Sequence, residues 1–170
     1  MKKKIILIRG DPNSINSEII FKSWSKLNHS IKKKIYLISN YNLIKKQFKK
    51  LNYSIEIEKV KNINEDLKST NLKIINLDLK FINPFNISKT NATRFVIKSL
   101  NLAHKLASKK NVLGIINCAI DKKLLKKNKI GVTEYLAKKC HVKNHSEAML
   151  IINKKLSVCS VTTHIDVREI

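Results

Sequence analysis

Lys4-Ile5-Ile6-Leu7-Ile8-Arg9-Gly10-Asp11-Pro12-Asn13-Ser14-Ile15-Asn16-Ser17-Glu18 is the stretch on which the reading of this chain turns. Ile5 to Ile8 is a continuous apolar run, the pattern of a strand buried on both faces. Gly10-Asp11-Pro12-Asn13-Ser14 is turn chemistry. From Ser17 to Leu27 the residues Ile19, Ile20, Trp24 and Leu27 fall on one helical stripe. Ser14 or Asn16 is placed to cap that helix, and Glu18 sits in its first turn, where an acid opposes the helix dipole favourably. A strand, a Gly-Asp turn and a helix form the first half of a βα unit. The apolar run is too short for the core of a secretory signal, since Arg9 and Asp11 follow at once.

Outward from this unit the alternation continues. Lys34 to Ser39 reads as a second strand, and Asn42 to Leu51 as a lysine-rich helix with Leu43, Phe48 and Leu51 inward. Ser54 to Val60 alternates Ile with Glu or Lys at period two, the mark of a half-exposed or edge strand. Leu72 to Leu79 is a further strand, and Asn83-Pro84-Phe85-Asn86 punctuates. Thr90 to Ser108 is the strongest helix, with Phe95, Leu100, Leu102, Ala103 and Leu106 on its apolar face. Gly114 to Asn117 is a strand, and Val132 to Cys140 a helix behind Gly131. Ala148 to Ile152 and Leu156 to Val161 are two strands joined by Asn153-Lys154-Lys155. Alternating strands and helices predict an α/β fold with a largely parallel or mixed sheet. No Gly/Ser linker divides the chain and no internal repeat is visible. The last residues, Thr163 to Ile170, open a new segment with no polar tail, so a truncated domain is expected.

The 170 residues carry a net charge of +23, which raises the question of a nucleic-acid partner. Only three of the 35 basic residues are arginine (Arg9, Arg94, Arg168), whereas bidentate reading of phosphates and guanines favours arginine. Lys, Ile and Asn make up 77 of the 170 residues, the bias of an AT-rich coding sequence. The lysines are spread along the chain rather than gathered in one arm. The expectation is therefore no nucleic acid, although the charge would attract anionic substrates at long range. No apolar stretch is long enough to span a membrane. Cys118, Cys140 and Cys159 lie far apart, with no CxxC pair, so neither a disulfide framework nor a zinc knuckle is indicated. A reducing, cytoplasmic compartment fits.

Three segments stand out as candidate chemistry: Gly10 to Glu18, Gly131 to Ala137, and Val161 to His164. Each also has a plain structural reading. The first lacks the Gly-x-Gly-x-x-Gly dinucleotide fingerprint and serves equally as an ordinary βα connection. Thr133 and Glu134 have the character of residues at a helix start. His164 beside two threonines suits a metal ligand, a general base or a structural histidine. Cys118 follows a strand, but nothing in its surroundings marks a lowered pKa.

Taken together and in order, these segments resemble the 4-hydroxythreonine-4-phosphate dehydrogenase family of vitamin B6 biosynthesis. Family members follow their first strand with Gly-Asp/Glu-Pro-x-Gly-Ile-Gly-Pro-Glu. This chain keeps Gly10, Asp11, Pro12, Ile15 and Glu18, and has Ser14, Asn16 and Ser17 where the family has glycine, glycine and proline. A strand ending in a Gly-Pro-x-x-Lys segment becomes Asn117-Cys118-Ala119-Ile120-Asp121-Lys122, which keeps the lysine but not Gly-Pro. Gly-His-Thr-Glu becomes Gly131-Val132-Thr133-Glu134. Thr162-Thr163-His164 is intact. The order and approximate spacing hold over nearly the whole chain.

The resemblance implies an α/β/α sandwich of the isocitrate and isopropylmalate dehydrogenase-like type, of which residues 1–170 are the N-terminal portion of a two-domain subunit, without its C-terminal half. It implies a cytoplasmic homodimer and a small phosphorylated substrate. The reaction is oxidation of the secondary alcohol of 4-phosphooxy-L-threonine by NAD, followed by decarboxylation. A divalent metal (Zn, Mg or Co) is implied, held by three histidines of which His164 is the first. Thr133 matches a substrate contact, and Val132 stands where the family has its partner histidine. Valine can neither donate a hydrogen bond nor carry charge, a loss of roughly 1.5–3 kcal/mol if that contact is not replaced. The alternatives are a diverged dehydrogenase for another phosphorylated or carboxylated hydroxy acid, and a small basic polyanion-binding protein.

Overall fold

A computed structural model describes residues 3–65, 69–128, 131–141, 148–160 and 168. The chain divides into two compact units, Met1–Lys129 and Ile130–Ile170.

The first unit is built on five strands: β1 (Lys4–Ile8), β2 (Ile35–Ser39), β3 (Ile57–Val60), β4 (Leu72–Asn76) and β5 (Val112–Asn117). All pairings are parallel, in the order β3-β4-β2-β1-β5. The helices are α1 (Asn16–Lys26), the short α2 (His29–Lys32), α3 (Tyr41–Lys50) and α4 (Lys89–Ala107), followed by a 3-10 segment, Lys122–Asn128. Because strand side chains alternate between faces, each strand serves two layers. Ile35, Leu37, Leu72 and Ile74 pack with Ile20 and Trp24 of α1 and with Ile44 and Phe48 of α3, while Ile5 and Leu7 flank that cluster. On the other face Ile6, Ile8 and Ile38 are buried beneath α4, whose Phe95, Val96, Leu100 and Ala103 point inward. The result is an α/β/α sandwich, the layering implied by the family resemblance, on the parallel sheet that the alternation allowed.

The elements follow local chemistry closely. Asn40 caps α3 by accepting from the Leu43 amide at 2.9 Å, and Ser88 caps α4 by accepting from Asn91 at 3.4 Å. Asn52 takes a left-handed φ of 57° just past α3, a stop that asparagine tolerates. The expected edge strand is correct, since β3 is outermost and pairs only with β4. α2 and the 3-10 segment are too short to show a period and were not expected.

Several inward assignments are corrected. Ile19 is exposed, because α1 presents Asn16, Ser17, Ile20 and Trp24 to the sheet. Leu51 is exposed because α3 has already ended at Lys50. Leu102 is only half-buried at the flank of the α4 face. Neither Ser14 nor Asn16 caps α1: the cap position is Ile15, which makes no side-chain bond, and Asn16 is drawn inward.

The second unit contains α5 (Val132–Lys139) and an antiparallel hairpin of β6 (Leu150–Ile152) and β7 (Ser157–Cys159). Asn153 closes the hairpin turn by accepting from the Lys155 amide at 2.7 Å. α5 buries none of its residues, and both hairpin strands are exposed.

Candidate functional site

In a doubly wound sheet, ligands bind outside the carboxyl ends of the strands where the winding reverses. Here β1 leads through α1 to β2 on one side, and β4 leads through α4 to β5 on the other. The reversal falls between β1 and β5, so the turn Gly10 to Asn16 and the turn Cys118-Ala119 meet there.

Gly10 makes that meeting possible. Its φ is +77°, and a Cβ at this position would lie 2.4 Å from the Ala119 carbonyl oxygen and 2.9 Å from Asn16 Nδ2. The Asp11 amide donates to the Ala119 carbonyl at 3.0 Å. Asn16 locks the two turns together. Its Nδ2 donates to the carbonyls of Arg9 (2.8 Å) and Ala119 (2.7 Å), and its Oδ1 accepts from the Ala119 amide (3.2 Å).

Arg9 leaves β1 fully buried. It donates to Asp11 O at 3.3 Å, to Pro12 O at 3.5 Å, to Ser17 Oγ at 3.1 Å and to Gln47 Oε1. These acceptors are neutral, and Nε is buried without a partner. Burial therefore pushes the guanidinium well below its ordinary value, to about 10, with the charges of Cys118 and Asp11 acting in the opposite sense. Gln47 of α3 ties the network outward, donating to Pro12 O (3.2 Å) and Pro84 O (2.5 Å) and accepting from Ser17 Oγ (2.6 Å). Asn13 completes the frame by a reciprocal pair with the Ile87 backbone, 2.8 Å each way.

Three of these groups occupy positions where the related family carries glycine or proline. Ser14 Oγ donates to Asp11 O at 2.7 Å, Asn16 bridges to Ala119, and Ser17 joins Arg9 to Gln47. In this chain the turn is held by side chains. The amides of Asp11, Asn13, Ser14, Asn16 and Glu18 all have acceptors within this segment or on Ala119. Most N–H groups at the start of α1 are thus already engaged, which leaves it poorly suited to the pyrophosphate of a dinucleotide.

The other expected residues divide. Cys118 is half-buried; burial raises its thiol, the charge of Arg9 opposing, so it is not a poised nucleophile. Lys122 is exposed at the start of the 3-10 segment, which Asp121 caps through the Lys123 amide at 2.8 Å. In the second unit, Val132 is half-buried and Thr133 exposed at the start of α5. Glu134 lies over Gly131, with Oε2 2.6 Å from where a Cβ would stand, the fold-back of an acid in the first turn. Thr162, Thr163 and His164 lie outside the described residues. Among the described residues no group of three or more His, Cys, Asp or Glu is placed to hold a metal. No helix among them is long and apolar enough to cross a membrane.

Arg9, Asn16 and Gln47 were not singled out as a unit by the sequence. One signal was available: where composition favours lysine so strongly, an arginine at a strand end marks a site needing a planar, multiply donating cation.

Comparison with solved structures gives a 4-hydroxythreonine-4-phosphate dehydrogenase of Klebsiella pneumoniae (TM-score 0.82, 24% identity, 99% of this chain and 53% of that one). A second, from Burkholderia phymatum, gives TM-score 0.81 and 20% identity over 99% of this chain and 52% of that one. This chain thus spans about half the length of the structures it matches. Comparison with curated protein sequences gives no match. The sequence profile described as pyridoxal phosphate biosynthetic protein PdxA matches residues 30–170. That match begins beyond α1, leaving out the turn whose glycines are replaced, and it covers most of the chain: the chain belongs to the PdxA family of pyridoxal phosphate biosynthetic proteins.

Proposed function

We propose that this chain is the N-terminal portion of an oxidoreductase that oxidises 4-phosphooxy-L-threonine, with NAD as hydride acceptor, in vitamin B6 biosynthesis. The observation that carries the reading is the family match over residues 30–170, joined to the retained Thr133 and Thr162-Thr163-His164. In this reading Thr133, exposed at the start of α5, contacts the substrate. His164 is one ligand of a divalent cation, which would supply Lewis-acid polarisation of the substrate oxygen. The described residues do not by themselves make a cation site. NAD contacts and the other metal ligands fall to the half of the family fold that this chain does not span. The active form is a homodimer in a reducing compartment, a setting compatible with three free cysteines.

The isolated 170-residue chain is predicted to be inactive, because a catalytic cation expects about three protein ligands. The test is NADH formation from 4-phosphooxy-L-threonine and a divalent metal, with and without polypeptide supplying the remainder of the fold. Turnover by the 170-residue chain alone would overturn the assignment of incomplete ligands.

A second reading has its own support. Val132 in place of the family histidine, and the side-chain-filled turn at Asn16, both suit a different phosphorylated or carboxylated hydroxy acid. Activity on such an acid, with none on 4-phosphooxy-L-threonine, would select it.

A further inference from the structure

We infer that the cleft between α3 and the segment entering β3 binds a phosphorylated planar aromatic molecule of nucleoside-monophosphate size. The cleft lies at the outer edge of the sheet, three strands from β1, and no residue of the Gly10 turn lines it. Its volume is about 350 Å³, within the range of roughly 300–1,000 Å³ typical of small-molecule sites.

Two features of the lining select the ligand. Lys45 and Lys49 stand one turn apart on α3, and both face the cleft. Both are exposed, and neither makes an ion pair among the described residues. Like charges at this spacing repel, and a phosphate between them would relieve that repulsion while accepting from both ammoniums. Glu56 is the one carboxylate in the lining, which leaves a net positive charge. The second feature is aromatic. Tyr53 is pinned by Phe21, stacked at 4.0 Å and 4°, and meets Phe48 edge-on at 6.2 Å. Tyr41 lines the same cleft, with Lys45 Nζ 6.0 Å from its ring centroid. Rings held in this way offer stacking surface at small entropic cost. A bare phosphate would leave the tyrosines unused, and an uncharged ring would leave the two ammoniums to water. A molecule with both parts satisfies both walls.

The experiment is calorimetric titration of the 170-residue chain at physiological ionic strength with AMP as probe, and with inorganic phosphate and adenosine for comparison. One equivalent of AMP is expected to saturate, with phosphate and adenosine each weaker by roughly tenfold or more. The double substitution Lys45→Gln/Lys49→Gln changes only exposed side chains, so the fold survives. It should weaken AMP by roughly tenfold or more, and Tyr53→Leu should also weaken it. Absence of saturable binding would overturn the proposal. So would binding of several equivalents that inorganic phosphate matches, or saturable binding that the double substitution leaves unchanged.

Discussion

At the scale of single residues, the β1–α1 turn makes two claims that can be measured. Gly10 combines a left-handed φ with close approach to Ala119. A side chain in that conformation costs about 1–2 kcal/mol, and the 2.4 Å contact with a carbonyl adds to it. Gly10→Ala should therefore lower unfolding free energy by at least about 2 kcal/mol in urea titration. Arg9 makes the opposite kind of claim. Its folded pKa of about 10 lies well below the ordinary arginine value. The charged form is thus less favoured in the folded state than in the unfolded one. The cost is present in full below about pH 10 and vanishes only as pH rises from there through the ordinary arginine value. At neutral pH the shift corresponds to about 3 kcal/mol. The lysines titrate in the same alkaline window, so substitution is the cleaner experiment. Arg9→Met keeps the Ser17–Gln47 bond and removes the buried charge. It should leave stability unchanged or raise it by up to about 3 kcal/mol. A loss beyond about 1 kcal/mol would show that the four acceptors repay the desolvation.

At the scale of elements, the described structure contrasts well-covered elements with uncovered ones. α4 buries seven residues along 19, and β2 is buried throughout. α5 buries none, and β6 and β7 are exposed along their length. Local opening free energy follows buried apolar contact. Hydrogen exchange on the 170-residue chain should find the amides of α4, β1, β2 and β4 the slowest. Those of α5 and the hairpin should exchange orders of magnitude faster. Equal protection in α5 and α4 would mean that α5 is covered in solution by a surface it lacks here. A two-stranded hairpin has little stability of its own in water, so the exposed Leu150, Ile151 and Ile152 make this comparison informative.

At the scale of the whole molecule, charge and topology act on different properties. A net charge of +23 on 170 residues is self-repulsive. The Debye length falls from about 30 Å at 0.01 M salt to about 8 Å at 0.15 M. The melting temperature should accordingly rise over that range in differential scanning calorimetry, and a fall would show that local ion pairs outweigh net repulsion. Element order was legible in the sequence because each strand and helix carries its own period. Ile5 to Ile8 and the stripe of Thr90 to Ser108 became the elements they announce, and of the alternating Ser54 to Val60 the part Ile57 to Val60 did. The alternation of β3 allowed a half-exposed or an edge strand, and the sheet order makes it an edge. The family was legible from Gly131-Val132-Thr133-Glu134 and Thr162-Thr163-His164, short segments whose order survives substitution around them.

What the sequence could not show were relations between distant segments. Asn16 and Ala119 are 103 residues apart, and Arg9 and Gln47 are 38 apart. No period or cap rule links such positions, since each bond exists only after the strands have paired and the winding has reversed beside β1. The same cause explains Ile19, which fits an apolar stripe and yet faces water. Periodicity names the residues able to face inward, and the width of the contact with the sheet decides which of them do. Local physical chemistry therefore determined the elements and their order, and the resemblance of short ordered motifs pointed to the family. Tertiary packing alone decided that the glycine-poor turn is held by a buried arginine and an asparagine clamp, because only packing brings those groups within hydrogen-bonding distance.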